Sequence, residues 1–239
     1  MYFPMYIDPV YLCVFAVTML LSIAAQIYVS SSYKRWSQVR NSLGLNGAEV
    51  GQAIVSRTQL GSRLAHQGAP VRFVGTPGQL SDHYDPRTNT VALSQGVATQ
   101  PSVSAMAIVA HELGHAQQDA TNSALMAARN FLVPAVTFSP QISYACILLG
   151  LLFNFTGLVW LGVIFFGLTV VFALLTLPVE MDASRKALNL LRDSGVMQSE
   201  KDAQGARQVL NAAAATYMAA AVSAVLQLLY YVSLARRRS

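Results

Sequence analysis

Charged residues are scarce in this sequence: Asp, Glu, Lys and Arg make up 11% of the 239 residues, and hydrophobic residues make up 54%. A soluble domain has about 25% charged residues. The low charge therefore argues against a soluble protein and favours a membrane protein. The sixteen Lys and Arg residues form no basic run interleaved with aromatic residues. We interpret them as topology signals at the membrane surface and expect no nucleic-acid partner.

Cysteine is almost absent as well. The two cysteines, Cys13 and Cys146, both lie in apolar segments, and neither has the spacing of a metal ligand. We therefore expect no disulfide.

The apolar residues are concentrated in long segments. Residues 9–30 are uncharged and long enough to span a bilayer, which requires about 20 residues, so they are predicted to form a transmembrane anchor. A cleaved signal peptide is the alternative, but no Lys or Arg precedes the segment and it is long for a signal peptide. Lys34, Arg35 and Arg40 follow it, which favours a cytoplasmic location for this end.

No charged residue lies between Arg129 and Glu180. A single helix of that length would far exceed the thickness of a bilayer. The turn formers in Asn154–Gly157 predict a break, so residues 131–178 are expected to form a transmembrane hairpin. Such a hairpin returns the chain to the side that it left. Residues 179–206, predicted as a helix followed by a connector, would therefore lie on the same membrane face as the segment before the hairpin.

Residues 207–235 are predicted to form a terminal transmembrane helix, and Arg236, Arg237 and Arg238 follow it. If this helix crosses, these arginines lie opposite the polar segments, which conflicts with the positive-inside rule. The polar segments nevertheless carry thirteen of the Lys and Arg residues. We therefore favour a cytoplasmic site, with an external site and a cytoplasmic C-terminus as the alternative.

Residues 34–130 are predicted to form a polar domain. Asn46 can cap a helix that runs to about Leu60. VRFV (71–74) and TVALS (90–94) are typical of short strands, and the segment between them is rich in turn formers. In that segment, His83 and Tyr84 could donate hydrogen bonds to a developing oxyanion. A turn stabilised by neighbouring aspartates is an equally good interpretation of this segment.

The segment 102–120 predicts one buried helix that contains HELGH. Residues four apart share a helix face, so His111 and His115 can bind one metal ion, with Glu112 beside them as a base. HExxH also occurs by chance. The apolar surroundings of these polar residues favour a metal site, because buried polar groups need partners. Gly114 would allow another segment to approach closely, since glycine inside a helix otherwise costs about 1 kcal/mol.

A catalytic zinc site has three protein ligands and one open position. A third histidine six residues after His115 is absent, and Glu180 is the predicted third ligand because the hairpin returns it to the same face. Asp182 and Asp119 are the rival ligands. A role in orienting a ligand histidine suits both of them better.

These residues predict that the protein hydrolyses peptide bonds with one Zn²⁺ per chain as cofactor. Zinc lowers the pKa of bound water towards about 7, and Glu112 takes the proton of the water and passes it to the leaving amine. The expected partners are a peptide or protein substrate and the bilayer. A non-catalytic membrane scaffold that binds zinc is the alternative, although structural zinc sites normally have four ligands. A third possibility is cleavage within the membrane, but the polar loops around the HELGH helix favour cleavage at or above its surface.

Three segments, DHYDPRTNTVALS, AHELGHAQQD and LPVEMDAS, occur in this order and resemble the YugP-type membrane zinc metallopeptidases of bacteria. The resemblance covers nearly the whole chain. It implies a neutral zinc peptidase embedded in the bacterial cell membrane, with His111, His115 and Glu180 as ligands and Glu112 as catalytic base. The sequence is also similar to the wider gluzincin group, including the HtpX-type proteases. There an Asp follows the ligand Glu by four residues, whereas here that position is Ser184.

Together, these patterns predict a mainly α, multi-pass membrane protein. A small zincin-like α+β domain, with a short β-hairpin next to the HExxH helix, would be fused to about four transmembrane helices.

Overall fold

The computed structural model describes residues 8–66 and 70–237; Arg238, one of the terminal arginines considered above, lies outside them. In chain order, the elements are α1 (Pro9–Ser37), α2 (Gly47–Arg57), α3 (Leu60–His66), β1 (Arg72–Thr76), β2 (His83–Asp85), β3 (Thr90–Ser94), α4 (Gln95–Thr99), α5 (Val103–Ala120), α6 (Ala124–Leu152), α7 (Thr156–Asp193) and α8 (Glu200–Arg236). The chain divides into two compact units. The helical unit comprises residues 8–26, 128–177 and 216–237, and the mixed unit comprises residues 27–66, 70–127 and 178–215.

The helical unit is built from apolar helices. In the described part of the chain, four helices are long and apolar enough to cross a membrane: α1, α6, α7 and α8. The chain turns between α6 and α7 at Asn154, whose φ of 50° is in the left-handed region that asparagine tolerates. The predicted mainly helical membrane architecture, with about four spanning helices, is confirmed.

Small and hydroxylated residues form the packing contacts between α6 and α7 in this unit. The Ser143 hydroxyl donates to the Gly162 carbonyl at 2.8 Å, and the Ser139 hydroxyl donates to the Phe165 carbonyl. A Cβ on Gly162 would lie only 2.8 Å from the Ser143 carbonyl oxygen, so glycine permits this close approach. Membrane helices commonly pack through such small residues and interhelical hydrogen bonds.

Helix α5 is the central element of the mixed unit, and it contacts α2, α3, α4 and the sheet. Its N-cap is Ser102, which accepts a hydrogen bond from the Ala105 amide. Helix α2 begins as predicted, because Asn46 and Glu49 form a reciprocal capping box. Its C-terminal end is Arg57, three residues before the predicted end.

The sheet of the mixed unit has the strand order β1-β3-β2, with all five residues of β3 buried. Strand β1 pairs parallel with β3, and β2 pairs antiparallel with it. The β-hairpin therefore consists of β2 and β3, and β2 lies inside the segment that we interpreted as a turn-rich loop. The turn formers after Asp85 make only the tight connection, in which Asn89 has a φ of 47°.

Two helix boundaries differ from the predictions. The helix predicted within residues 179–206 is not a separate helix, because α7 continues through Pro178 to Asp193. A proline removes one backbone hydrogen bond, and the remaining ladder can continue on both sides of it. Helix α8 begins at Glu200, seven residues before the predicted start of the terminal helix.

Candidate metal centre

Helices α5 and α7 bring three possible metal ligands together. The Nε2 atoms of His111 and His115 lie 3.2 and 3.5 Å from the same oxygen, Oε2 of Glu180. All three side chains offer ligand atoms within 4.8 Å of one another. Donors around a tetrahedral zinc ion with bonds of 2.0–2.1 Å are about 3.3 Å apart. The spacing and the donor types therefore fit a zinc ion.

A glycine allows this convergence. A Cβ on Gly114 would lie 2.4 Å from the carbonyl oxygen of Ala183 and 3.1 Å from its carbonyl carbon. Only a residue without a side chain lets the backbone of α7 come so close to α5 at this point. The predicted close approach at Gly114 is therefore observed, and the approaching segment is the turn of α7 that follows Glu180.

Glu112 lies between the two histidines in sequence and is buried, with 7% of its surface exposed. Burial raises the pKa of the Glu112 carboxyl, the charges of Glu180 and Asp82 add to this effect, and the two histidines oppose it. A carboxylate with a raised pKa is a better proton acceptor than an exposed one.

The Nδ1 atom of His115 contacts a residue that the sequence analysis did not identify. It lies 3.0 Å from Oε1 of Gln118, which is fully buried. The side-chain nitrogen of Gln118 donates to the Val179 carbonyl and to Oδ2 of Asp182, both at 2.8 Å. Two features of the sequence could have indicated this contact: Gln118 is a polar residue in a helix predicted to be buried, and it follows His115 by three residues.

Burial by itself lowers the pKa of His115, but the hydrogen bond and charge of Glu180 outweigh this effect and raise it above its usual value. The negative charge that favours an imidazolium also favours a cation between these groups.

Ser184 contacts the other histidine. Its hydroxyl oxygen lies 3.3 Å from Nδ1 of His111. At the position where the HtpX pattern has an aspartate, this chain thus has a smaller polar group that still reaches the histidine. Asp182 contacts Gln118 and receives two hydrogen bonds from Lys186, at 2.8 and 3.0 Å. Its link to His115 runs through Gln118.

The structure places Tyr84 and Asp119 in contact with each other. The Tyr84 hydroxyl lies 3.0 Å from Oδ2 of Asp119 and 3.1 Å from Oδ1 of Asn89. Burial raises the pKa of Tyr84, and the Asp119 carboxylate adds to this effect, so the hydroxyl stays protonated. Asp119 therefore connects α5 to β2.

His83 is exposed on β2, and its Nδ1 lies 2.9 Å from the Ser81 carbonyl. Because a carbonyl only accepts hydrogen bonds, Nδ1 carries the proton. The other ring nitrogen of a neutral His83 is then an acceptor. His83 can donate from Nε2 only as an imidazolium. The preceding residue, Asp82, accepts hydrogen bonds from the amide and hydroxyl of Ser94 at 2.7 and 3.1 Å.

Zinc peptidases typically have an HExxH helix with a buried glutamate between its histidines. A downstream glutamate close to the two histidines is also typical of them. The comparisons with known proteins agree with this class. The model of the family described as "Putative neutral zinc metallopeptidase" matches residues 11–236, and the chain belongs to this family. The chain is 36% identical, over 212 residues, to the protein named "Putative membrane protease YugP" of Bacillus subtilis (strain 168). The aligned region covers 89% of this chain and 90% of the relative. No solved structure matches the chain significantly.

Proposed function

We propose that this protein is a membrane-embedded, zinc-dependent endopeptidase of the gluzincin type. The observation that carries the proposal is the convergence of His111, His115 and Glu180 from two helices, with Glu112 buried beside the histidines. Membership of a zinc metallopeptidase family and the likeness to a protein named a membrane protease support it.

The three ligand side chains would hold one Zn²⁺ per chain. When bound, zinc supplies a Lewis acid that polarises the scissile carbonyl and makes water more acidic. Three protein ligands are typical of a catalytic site with an open position, whereas structural zinc sites are closed by four. This difference favours an enzyme over a zinc-binding scaffold.

Glu112 is the proposed general base. Its carboxylate takes a proton from the attacking water and passes it to the nitrogen of the leaving amine. Its burial supports this role, because burial raises its affinity for a proton.

Strand β2 is the proposed docking edge for the substrate. It lies at one edge of the sheet, and it contacts α5. An extended peptide can pair with such an edge through main-chain hydrogen bonds. His83 and Tyr84 on this strand are the candidate oxyanion donors. His83 would act as an imidazolium, and Tyr84 would have to redirect its proton from Asp119 or Asn89.

We further propose that the protein lies in the bacterial cell membrane with the catalytic face in the cytoplasm. Because His111 contacts Glu180, the chain between them must cross the membrane an even number of times. Helices α6 and α7 supply two crossings. The thirteen Lys and Arg residues in segments 34–129 and 180–207 would then lie on the cytoplasmic side.

The test replaces Glu112 by Gln in detergent-purified, zinc-replete protein. Hydrolysis of labelled casein should fall by about 10²- to 10⁴-fold, because the general base is lost, while zinc stoichiometry stays near one. Glu200→Gln is the matched control, since its side chain is 86% exposed. It should leave both values unchanged. Near-normal hydrolysis by Glu112→Gln would contradict the mechanism, and no hydrolysis by zinc-loaded wild type would favour the scaffold.

A further inference from the structure

We propose that Gln118 is a positioning residue that fixes the tautomer and orientation of the His115 ring and holds the Glu180 segment of α7 against α5. The proposal rests on the zinc site proposed above. It concerns a residue outside the proposed ligand set.

The contacts of Gln118 determine the orientation of its amide. The Val179 carbonyl, 2.8 Å away, can only accept a hydrogen bond, so the side-chain nitrogen of Gln118 must face it. The same nitrogen also donates to Asp182, whose carboxylate accepts hydrogen bonds from Lys186. Both N–H groups of the amide thus have an acceptor, and its oxygen faces His115.

The orientation of this oxygen has a consequence for His115. Oε1 of Gln118 lies 3.0 Å from Nδ1 of the ring, and an amide oxygen only accepts. A neutral His115 ring, which is the form that binds a metal ion, therefore carries its proton on Nδ1. The Nε2 atom, which lies 3.5 Å from Oε2 of Glu180, then has its lone pair available for a metal ion. Ligand histidines commonly donate their second ring N–H in this way, which fixes the tautomer and the ring orientation.

Gln118 also fixes the position of the third ligand. Val179, whose carbonyl it contacts, directly precedes Glu180. A single buried side chain therefore contacts one ligand histidine on α5 and the backbone beside the ligand glutamate on α7. Such a contact restricts both the rotation of the ring and sliding between the helices.

The primary test compares Gln118→Met with the wild type in zinc-loaded protein labelled with ¹⁵N-histidine. The wild type should show a downfield Nδ1 proton of His115 that exchanges slowly with water. In Gln118→Met this proton should move upfield and exchange faster, and zinc affinity should fall by about 10- to 100-fold. Assignment is practical because the chain has only four histidines.

Two further variants separate positioning from a general structural role. Gln117→Met makes the same change at the neighbouring, less buried residue of α5 and should leave the signal and the affinity unchanged. Gln118→Glu retains an acceptor for His115 but loses the donor to Val179 and Asp182. It should keep the downfield proton and bind zinc more tightly than Gln118→Met. If Gln118 served only to pack the helices, Gln118→Glu would lose both properties.

The possible outcomes distinguish the two proposals. A wild type that binds no zinc when metal-replete would overturn the proposed function. A wild type that binds zinc, with an unchanged His115 signal and zinc affinity in Gln118→Met, would overturn the role of Gln118 alone. Thermal unfolding of the metal-free variants shows whether each is folded. If Gln118→Met is unfolded, the Gln118→Glu signal decides, and its loss in a folded protein would overturn the tautomer assignment.

Discussion

Replacing Gly114 by Ala tests whether the close approach of α5 and α7 sets the geometry of the metal centre. The added Cβ would lie 2.4 Å from the Ala183 carbonyl oxygen, and real Cβ contacts essentially never fall below 3.0 Å. The obstacle is backbone, which cannot rotate away as a side chain can. The turn of α7 at Ala183 must therefore retreat by about 0.6–1 Å to restore an ordinary contact.

This displacement is large relative to what a zinc site tolerates. Glu180 precedes Ala183 by three residues, about one helical turn, so a shift of the backbone at Ala183 also moves the ligand. Metal–ligand distances hold within about 0.2 Å. We expect zinc affinity to fall at least about 10-fold, comparable to the loss of a residue that orients a ligand. The free energy of unfolding should fall by about 0–2 kcal/mol, because overpacking costs about 1–3 kcal/mol and alanine is better than glycine in a helix by about 1 kcal/mol.

The measurement is a zinc titration of purified protein against a chelator of known affinity, with thermal unfolding of the metal-free protein in parallel. Gly167→Ala is the matched control, because Gly167 also lies inside a helix, α7, and its Cβ would meet no atom within 4 Å. The control should bind zinc normally. If Gly114→Ala also binds zinc normally, the approach of the two helices does not set the ligand geometry and the reasoning is refuted.

Two further predictions concern the residues around the site. Glu180→Ala should bind zinc far more weakly in equilibrium dialysis than Met181→Ala, whose exposed side chain makes it a suitable control; equal binding by the two variants would move the third ligand to another residue. Tyr84→Phe should lower the free energy of unfolding by about 1–3 kcal/mol, because it removes the one hydroxyl proton that the carboxylate of Asp119 or the amide oxygen of Asn89 accepts. Unchanged chemical denaturation would show that this hydroxyl does not stabilise β2.

The positions of the candidate ligands followed from spacing and topology. The i, i+4 spacing of His111 and His115 places both rings on one face of any helix, independently of the rest of the fold. Glu180 was predicted from the hairpin, because an even number of crossings returns the chain to the same side. Both arguments depend only on regular geometry, and the structure does bring the three residues together.

Gln118 and Ser184 were not predicted as contacts of the histidines, because both contacts depend on side-chain directions in the folded protein. Ser184 reaches His111 from α7, so the contact depends on how α7 is rotated about its axis. Hydrophobic periodicity does not fix this rotation in a helix that is apolar on most sides. Gln118 is on the same helix as His115, but its amide orientation is set by Val179 and Asp182 of α7.

Strand β2 was missed for a different reason. Its three residues are fewer than the four to eight over which a strand pattern can be recognised, and turn formers flank them. They are ordered as a strand because β3, buried along its whole length, offers a free edge for pairing. The tertiary context thus overrides a weak local preference.

The contacts between α5 and α7 occupy a short stretch of each helix. Between Val179 and Ser184, α7 contacts α5 at four positions. The Val179 carbonyl contacts Gln118, Glu180 contacts both candidate ligand histidines, Ala183 lies against Gly114, and Ser184 contacts His111. The surfaces through which the two helices pack are therefore the same surfaces that carry the candidate ligands. Glu180 cannot shift relative to the histidines without breaking the helix contact. A catalytic metal site requires preorganised ligands, and the contacts between α5 and α7 would hold these candidate ligands in position.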